Sequence, residues 1–149
     1  MLQRIAGECA VETDELAWGG PFPASVRSGH WDLVLGSDLV YDEDAFPALA
    51  KTLDGLFDNN GKWRGERAAP CCLLALSDRQ EFAASRRDDR PDYEAFFDVL
   101  RRPEYGGFSV SRVHTVSAAD AQCASNIDLF LIERGSSLVA QLIKKQQSS

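Results

Sequence analysis

The chain lacks several features that would direct it to a membrane or to nucleic acid. It has no apolar run near the ~20 residues that span a bilayer, and Met1–Ile5 lacks the apolar centre of a secretory signal. Basic residues are in the minority, with 16 Lys and Arg against 23 Asp and Glu and a formal net charge of −7. Because phosphate backbones are held by a basic face, we expect neither membrane insertion nor nucleic-acid binding.

Metal-binding and disulfide patterns are also missing. The four cysteines form no C-x-x-C pair, and Cys71 and Cys72, adjacent in sequence, would point to opposite faces of a strand. They therefore suit neither a zinc site nor a disulfide framework. The two histidines, His30 and His114, stand apart from each other and from any cysteine or acidic cluster. We expect no metal, and reduced thiols in the cytoplasm, with the nucleus as a second possible location.

What is present fits one α/β domain. The 149 residues match the usual ~150 per domain, and 44% are apolar, enough for one core. We predict a single domain over residues 1–149, with 136–149 as a C-terminal helix or tail.

The first strand and helix are the clearest elements. The apolar run within Trp31–Asp38 does not alternate with polar residues, which is typical of a strand covered on both faces of a parallel sheet. An amphipathic helix follows, with Asp44 as its predicted N-cap. Its apolar face consists of Phe46, Leu49, Leu53, Leu56 and Phe57.

The same pattern then recurs once and changes. The apolar run Cys71–Leu76 predicts a second buried strand, and the spacing around 93–100 predicts a helix after it. Two β-rich runs, Phe108–Val116 and Asp128–Glu133, are joined by a small polar stretch in which we predict no helix, so we expect them to be antiparallel. The order β-α-β-α-β-β predicts a parallel α/β sheet with an antiparallel edge.

Candidate site residues lie at the end of the first strand. In open α/β sheets, ligands bind outside the carboxyl ends of the strands, which here are marked by Ser37, Asp38 and Tyr41. Asp38 and Tyr41 are three residues apart, so a tight turn would bring both to one rim. Trp18, followed by Gly19 and Gly20, could stack on a planar ligand without crowding.

These residues resemble a known family. The element Leu16-Ala17-Trp18-Gly19, the strand Asp32-Leu33-Val34-Leu35-Gly36-Ser37-Asp38 and its continuation to Tyr41 are similar to the seven-β-strand (class I) protein-lysine methyltransferases of methyltransferase family 16. The match is specific over 15–56 and looser through Glu133. It implies a partial Rossmann-like sheet of strands four, five, seven and six, with the last two antiparallel and a remnant of strand three at Cys9–Glu12. The chain would thus be an N-terminally truncated, C-terminal part of the domain.

The resemblance also implies roles for the candidate residues. Trp18 would contact the adenine of S-adenosyl-L-methionine, and Ser37 stands where the family usually has an alanine beside the cofactor. Asp38 and Tyr41 would form the catalytic rim facing a lysine of a protein substrate. No metal is implied.

The sequence departs from the family in two ways that leave alternatives open. It contains neither the acidic glycine-rich loop nor the ribose-binding acid, and strand one, which pairs with strand four in the family, has no counterpart. The strand at 33–37 would then present an unpaired edge where another chain could dock. The chain is accordingly either a lysine methyltransferase or an inactive fragment that acts through pairing. A different nucleotide binder is disfavoured, because there is no phosphate-cradling loop.

Overall fold

A computed structural model describes residues 10–29, 31–59, 69–77, 92–135 and 137–147. The strands are β1 Leu33–Ser37, β2 Cys71–Ser77, β3 Ser109–Val116 and β4 Ile127–Glu133. The α-helices are α1 Ala24–Ser28, α2 Phe46–Asn59, α3 Asp92–Leu100, α4 Ala118–Ala121 and α5 Leu138–Gln147. Short 3-10 turns occupy Glu43–Ala45 and Pro103–Tyr105. None of the helices in these ranges has the length and hydropathy that crossing a bilayer would require.

The strands form one mixed sheet in the order β1-β2-β4-β3. β1 and β2 are parallel, with Leu33 opposite Cys71, and β4 is antiparallel to both β2 and β3. This confirms the predicted strand order and the antiparallel closing pair. The predicted remnant of strand three is not formed over 10–12, where Val11 is 82% exposed and so buries no apolar surface; Cys9 lies outside the described residues.

The main core lies between one face of the sheet and the helices α2 and α3. Residues of β1, β2 and β4 that point to this face alternate with those that do not, as the pleat requires. The strand residues in this core are Val34, Cys72, Leu74, Leu76, Phe130 and Ile132. The helices add mainly aromatic and leucine side chains, namely Phe46, Leu49, Leu53, Phe57, Tyr93, Phe96, Phe97 and Leu100. The predicted helical faces are therefore confirmed, apart from Leu56.

The opposite face of the sheet is only partly covered. Ala140 of α5 packs there against Cys71, Val113 and Leu131. The expectation that β1 is covered on both faces is wrong, because Leu33 is 37% exposed and Leu35 is 69% exposed. The physical reason is that α2 and α3, the helices that follow β1 and β2, both pack on the same side of the sheet.

Two local predictions differ from the structure. The 3-10 turn Glu43–Ala45 precedes α2 directly, and its N-cap is Asp42, not the predicted Asp44. Asp42 Oδ1 accepts a hydrogen bond from the Asp44 N–H at 3.1 Å. The polar stretch between β3 and β4 contains α4, which is four residues long, although the sequence predicts no helix there. Ser117 caps α4 by accepting from the Asp120 N–H at 3.1 Å. Periodicity does not show so short a helix.

Candidate functional site

The pairing of β1 with β2 ends at Asp38. The Asp38 N–H donates to the Ala75 carbonyl oxygen at 3.0 Å, and Asp38 itself has φ 53°. This left-handed conformation is costly for most side chains, and Asp is one of the few that adopts it readily. The chain consequently turns sharply at the residue that sequence analysis identified as the first catalytic candidate.

The turn that follows separates apolar from polar side chains. Leu39 is half-buried against the main core and Val40 is buried within it. Asp38 and Tyr41 are exposed, Tyr41 by 66%. Both predicted catalytic residues are therefore exposed, while the two residues between them pack toward the main core.

Ser37 lies beside an open groove on the less covered face of the sheet. The groove has a volume of about 320 Å³ and is lined by Leu35, Gly36, Ser37, Leu73, Ala75 and Leu129. Its walls are mostly apolar, and Ser37 is the one polar residue among those that line it. Sequence reasoning missed the contributions of β2 and β4. The strand register, which sets Leu35 opposite Leu73 and Ser37 opposite Ala75, is the information that would have revealed them.

Trp18 is held against α2 through its neighbour Gly19. The Gly19 N–H donates to the Thr52 hydroxyl at 2.8 Å, and a Cβ on Gly19, which has φ 70°, would lie 3.3 Å from Ala48. The indole is 40% exposed and is not among the residues that line the Ser37 groove. The structure therefore has Ser37, Asp38 and Tyr41 within five consecutive residues at the end of β1, and anchors Trp18 through Gly19 on α2, the helix that follows.

The surroundings of the turn are acidic. Asp38, Asp42, Glu43 and Asp44 are all exposed, within a chain whose formal net charge is −7. Such a surface favours the approach of a positively charged group. Within the described ranges, no group of three or more His, Cys, Asp or Glu side chains has the arrangement of a metal site.

The buried cysteines are unsuited to nucleophilic chemistry. Burial raises the pKa of the Cys72 thiol to about 12, and burial also raises the pKa of Cys71. Because the thiolate is the reactive species, both thiols stay protonated and inert near neutral pH. They lie on opposite sides of the sheet, Cys72 in the main core and Cys71 beneath α5, as their adjacency predicted.

Comparison with known proteins places this turn in a family. The sequence profile of the lysine methyltransferase family matches residues 2–89, more than half of the chain. The chain belongs to the lysine methyltransferase family. This confirms the resemblance drawn from the Trp18 and Asp38–Tyr41 segments, since Trp18, Ser37, Asp38 and Tyr41 all lie inside the matched range.

Three individual proteins are also similar to the chain. The chain is 47% identical over 111 residues to "Protein N-lysine methyltransferase METTL21A" of Danio rerio, which covers 74% of this chain and 40% of the relative. It is 36% identical over 100 residues to the protein of the same name from Mus musculus, a match that covers 67% of this chain and 35% of the relative. A UPF0665 family protein of Schizosaccharomyces pombe is 38% identical over 52 residues, a match that covers 35% of this chain and 16% of the relative. The chain thus spans at most 40% of these relatives, and no solved structure matches it significantly.

Proposed function

We propose that this protein methylates lysine side chains of a protein substrate, using S-adenosyl-L-methionine. The observation that carries the proposal is the segment after β1, in which Asp38 and Tyr41 are both exposed at the carboxyl end of a parallel strand inside the family-matched range. The two METTL21A relatives are named as protein N-lysine methyltransferases, which supports the same reaction class.

The side chains of this turn suit alignment of an amine. The Asp38 carboxylate would accept a hydrogen bond from the lysine amine and so fix the direction of its lone pair. Tyr41, exposed beside it, would form one wall of the lysine channel. Such alignment, with exclusion of water, is the main contribution a protein can make to an in-line displacement. Val40, which lies between them in the sequence, is buried in the main core.

The residues present fit part of the cofactor. Bound S-adenosyl-L-methionine supplies a methyl group on a positively charged sulfur. The donor set here, a hydroxyl at Ser37 and a carboxylate at Asp38 beside the apolar walls formed by Leu35 and Leu73, suits a cation that carries apolar arms. Ser37 would lie beside the cofactor, and the partly exposed Trp18 indole would stack on the adenine. The sequence offers no glycine-rich loop for the rest of the nucleoside.

The acidic rim suggests the kind of substrate. Exposed carboxylates at Asp38, Asp42, Glu43 and Asp44 would attract a protein segment in which the target lysine is flanked by basic residues. Because these carboxylates are exposed, their contribution would fall as salt rises.

Cofactor binding is the first test. We expect calorimetric titration with S-adenosyl-L-methionine to show saturable binding. Trp18→Ala should weaken this binding by about 5–150-fold, the range for losing one stacked base of ~1–3 kcal/mol. Ser28→Ala, on an exposed helix end away from the turn, is the matched control and should bind as the native chain does. Absence of heat at about 1 mM ligand, both for the chain alone and for the chain with the added polypeptide described below, would remove the enzyme function.

Methyl transfer is the second test. With methyl-labelled cofactor and a lysine-rich peptide mixture, Asp38→Asn should lower kcat by about 10–150-fold, the equivalent of one charge-assisted hydrogen bond of ~1.5–3 kcal/mol. Its cofactor affinity should stay within about twofold of native, because the proposed role of Asp38 is toward the amine. Equal kcat for the native chain and Asp38→Asn would contradict the assigned role.

We further propose that the edge of β1 at 33–37 pairs with another polypeptide, which completes the cofactor site. The supporting observations are that β1 ends the sheet among the described strands, and that Leu33 and Leu35 expose apolar surface beside the groove. The strand has no charged residue or proline to discourage pairing. The probe is the part of Danio rerio METTL21A outside its 111-residue match, supplied in trans.

The trans experiment separates this contact from adventitious association. We expect the added polypeptide to form a complex on size-exclusion chromatography and to raise cofactor affinity. Leu35→Lys, which places a charge on the open face, should abolish the complex, whereas Leu138→Lys on α5, an equally exposed leucine at 64%, should not. Loss of the complex in neither variant, or in both, would contradict pairing at β1.

A further inference from the structure

Gly36 lies where two leucine side chains converge. A Cβ built on Gly36 would be 2.6 Å from Leu74 Cδ2 and 2.7 Å from Leu39 Cδ1. Real Cβ atoms do not approach other carbons so closely, so a side chain at this position would force one of the two leucines to move. The space left by the missing side chain is thus occupied by Leu39 folding back over the strand.

The position of Leu39 determines the shape of the turn. Between Gly36 and Leu39 the chain makes its last pairing bond with β2, from the Asp38 N–H to the Ala75 oxygen, and enters the left-handed conformation at Asp38. For Leu39 to return onto Gly36 the chain must reverse within these residues. Val40 then enters the core, leaving Asp38 and Tyr41 at the surface.

We infer that Gly36 is a positioning residue for the proposed reaction: its missing side chain seats Leu39, and this seat fixes the turn that presents Asp38 and Tyr41. The inference rests on the proposed function only for its catalytic consequence. Its structural part, that the seat determines the turn, stands on the contacts of Gly36 alone.

A methyl group on Gly36 is expected to displace Leu39 and not Leu74. Leu74 is 2% exposed, enclosed between the sheet and its helices, and close-packed interiors yield little. Leu39 is only half-buried, so it is the softer of the two neighbours. Alanine is otherwise acceptable in a strand interior, where glycine is the weaker choice. A loss of amide protection or of activity in Gly36→Ala would therefore indicate that the space above Gly36 is needed by Leu39.

Amide hydrogen exchange at the two ends of β1 tests the structural part. The Asp38 N–H bonds to Ala75 at the turn end, and the Cys71 N–H bonds to Asp32 at the other end. In Gly36→Ala we expect protection of the Asp38 amide to fall by at least about tenfold relative to that of Cys71. Gly55→Ala is the matched control, because its Cβ would lie 2.5 Å from the Phe22 ring, away from the turn; it should lower both protections alike or neither.

Double variants identify the neighbour that moves. Leu39→Val and Leu74→Val each remove the Cδ atoms that a methyl on Gly36 would strike. We expect Leu39→Val combined with Gly36→Ala to restore Asp38 protection to within about threefold of Leu39→Val alone, and Leu74→Val to restore much less. If Leu74→Val restores protection instead, or if Gly36→Ala leaves the Asp38-to-Cys71 ratio unchanged, the seat does not determine the turn and the inference is wrong.

Kinetics test the positioning role separately. Where the native chain, or its complex in trans, transfers methyl groups, Gly36→Ala should lower kcat by at least about tenfold with the cofactor Kd little changed, and Leu39→Val should recover part of the loss. Loss of Asp38 protection with unchanged kcat would overturn the positioning role, but would still support the structural part, in which Leu39 packed on Gly36 determines the turn. A native chain without methyl transfer would contradict the proposed function, while the exchange ratio would still decide the seat.

Discussion

The Tyr93 hydroxyl donates a hydrogen bond to Asp128 Oδ2 at 2.9 Å, joining the first turn of α3 to the start of β4 in a buried contact. The other carboxylate oxygen of Asp128 accepts from the Thr115 hydroxyl at 2.5 Å, and Arg112 lies 3.8 Å away. Asp128 is opposite Leu76 near the end of β2. This contact therefore fixes α3 at the same edge of the sheet where the carboxyl ends of β1 and β2 lie.

Removing the Tyr93 hydroxyl should destabilise the fold. Tyr93→Phe keeps the ring in the aromatic cluster with Phe97 and Phe130 but leaves one oxygen of a buried carboxylate without its donor. We expect a loss of about 1.5–3 kcal/mol in the free energy of unfolding by urea denaturation. Thr115→Val, at an exposed residue, should cost less because water can replace the hydroxyl. A Tyr93→Phe variant as stable as native would show that the bond contributes nothing.

Arg134 should be poorly replaced by lysine. Its guanidinium pairs with Asp54 and with Asp58 (2.7 Å for the latter) and lies 5.1 Å from the centre of the Phe108 ring. Lysine keeps the charge but lacks the planar fork, so Arg134→Lys should cost about 1–2 kcal/mol of stability.

The control for Arg134 is a more exposed arginine. The Arg101 side chain is 46% exposed and pairs with Asp98 at 3.1 Å, and Arg101→Lys should cost less than about 0.5 kcal/mol. Both variants are compared by urea denaturation. Arg101 also lies 3.8 Å from Glu94 and 6.0 Å from the centre of the Phe97 ring, so equal costs would mean that the greater burial of Arg134 adds nothing.

The buried Cys72 thiol should make stability fall at alkaline pH. Burial raises its pKa from 9.0 to about 12, so above pH 9 the unfolded chain releases a proton that the folded chain retains. The contribution is fully present below pH 9 and is lost as pH rises toward 12, by up to about 1.4 kcal/mol per pH unit. Denaturation of native and Cys72→Ala chains between about pH 8 and pH 10.5 should give a shallower decline for Cys72→Ala. Parallel curves would contradict the assignment.

The backbone at Asp38 should respond to side-chain type independently of charge. With φ 53°, alanine is strained there, so Asp38→Ala should lose about 1 kcal/mol of stability, whereas Asp38→Asn and Asp38→Gly should stay within about 0.5 kcal/mol of native. Thermal melts compare the three variants. If Asp38→Ala and Asp38→Asn have the same melting temperature, the left-handed conformation is not imposed at this residue. The prediction also makes Asp38→Asn the appropriate variant for activity measurements.

The sequence by itself determined the four strands and the two long helices α2 and α3, and its family resemblance implied the strand order. Apolar runs identified β1 and β2, and helical spacing identified α2 and α3, because both patterns are local consequences of backbone periodicity. The short link between β3 and β4 implied an antiparallel pair, and the family resemblance implied the order β1-β2-β4-β3; the structure confirms both. The motifs around Trp18 and Asp38 were enough to indicate the lysine methyltransferase family.

Only the tertiary structure decided which surfaces are covered and how the turn is held. Periodicity cannot tell on which side of a sheet a crossover helix packs, and here α2 and α3 share one side, leaving Leu35 exposed. It also cannot show that Leu39 occupies the space above Gly36, or that Trp18 lies against α2 and outside the Ser37 groove. These relationships join residues through space, and the packing of the whole sheet and its helices fixes them.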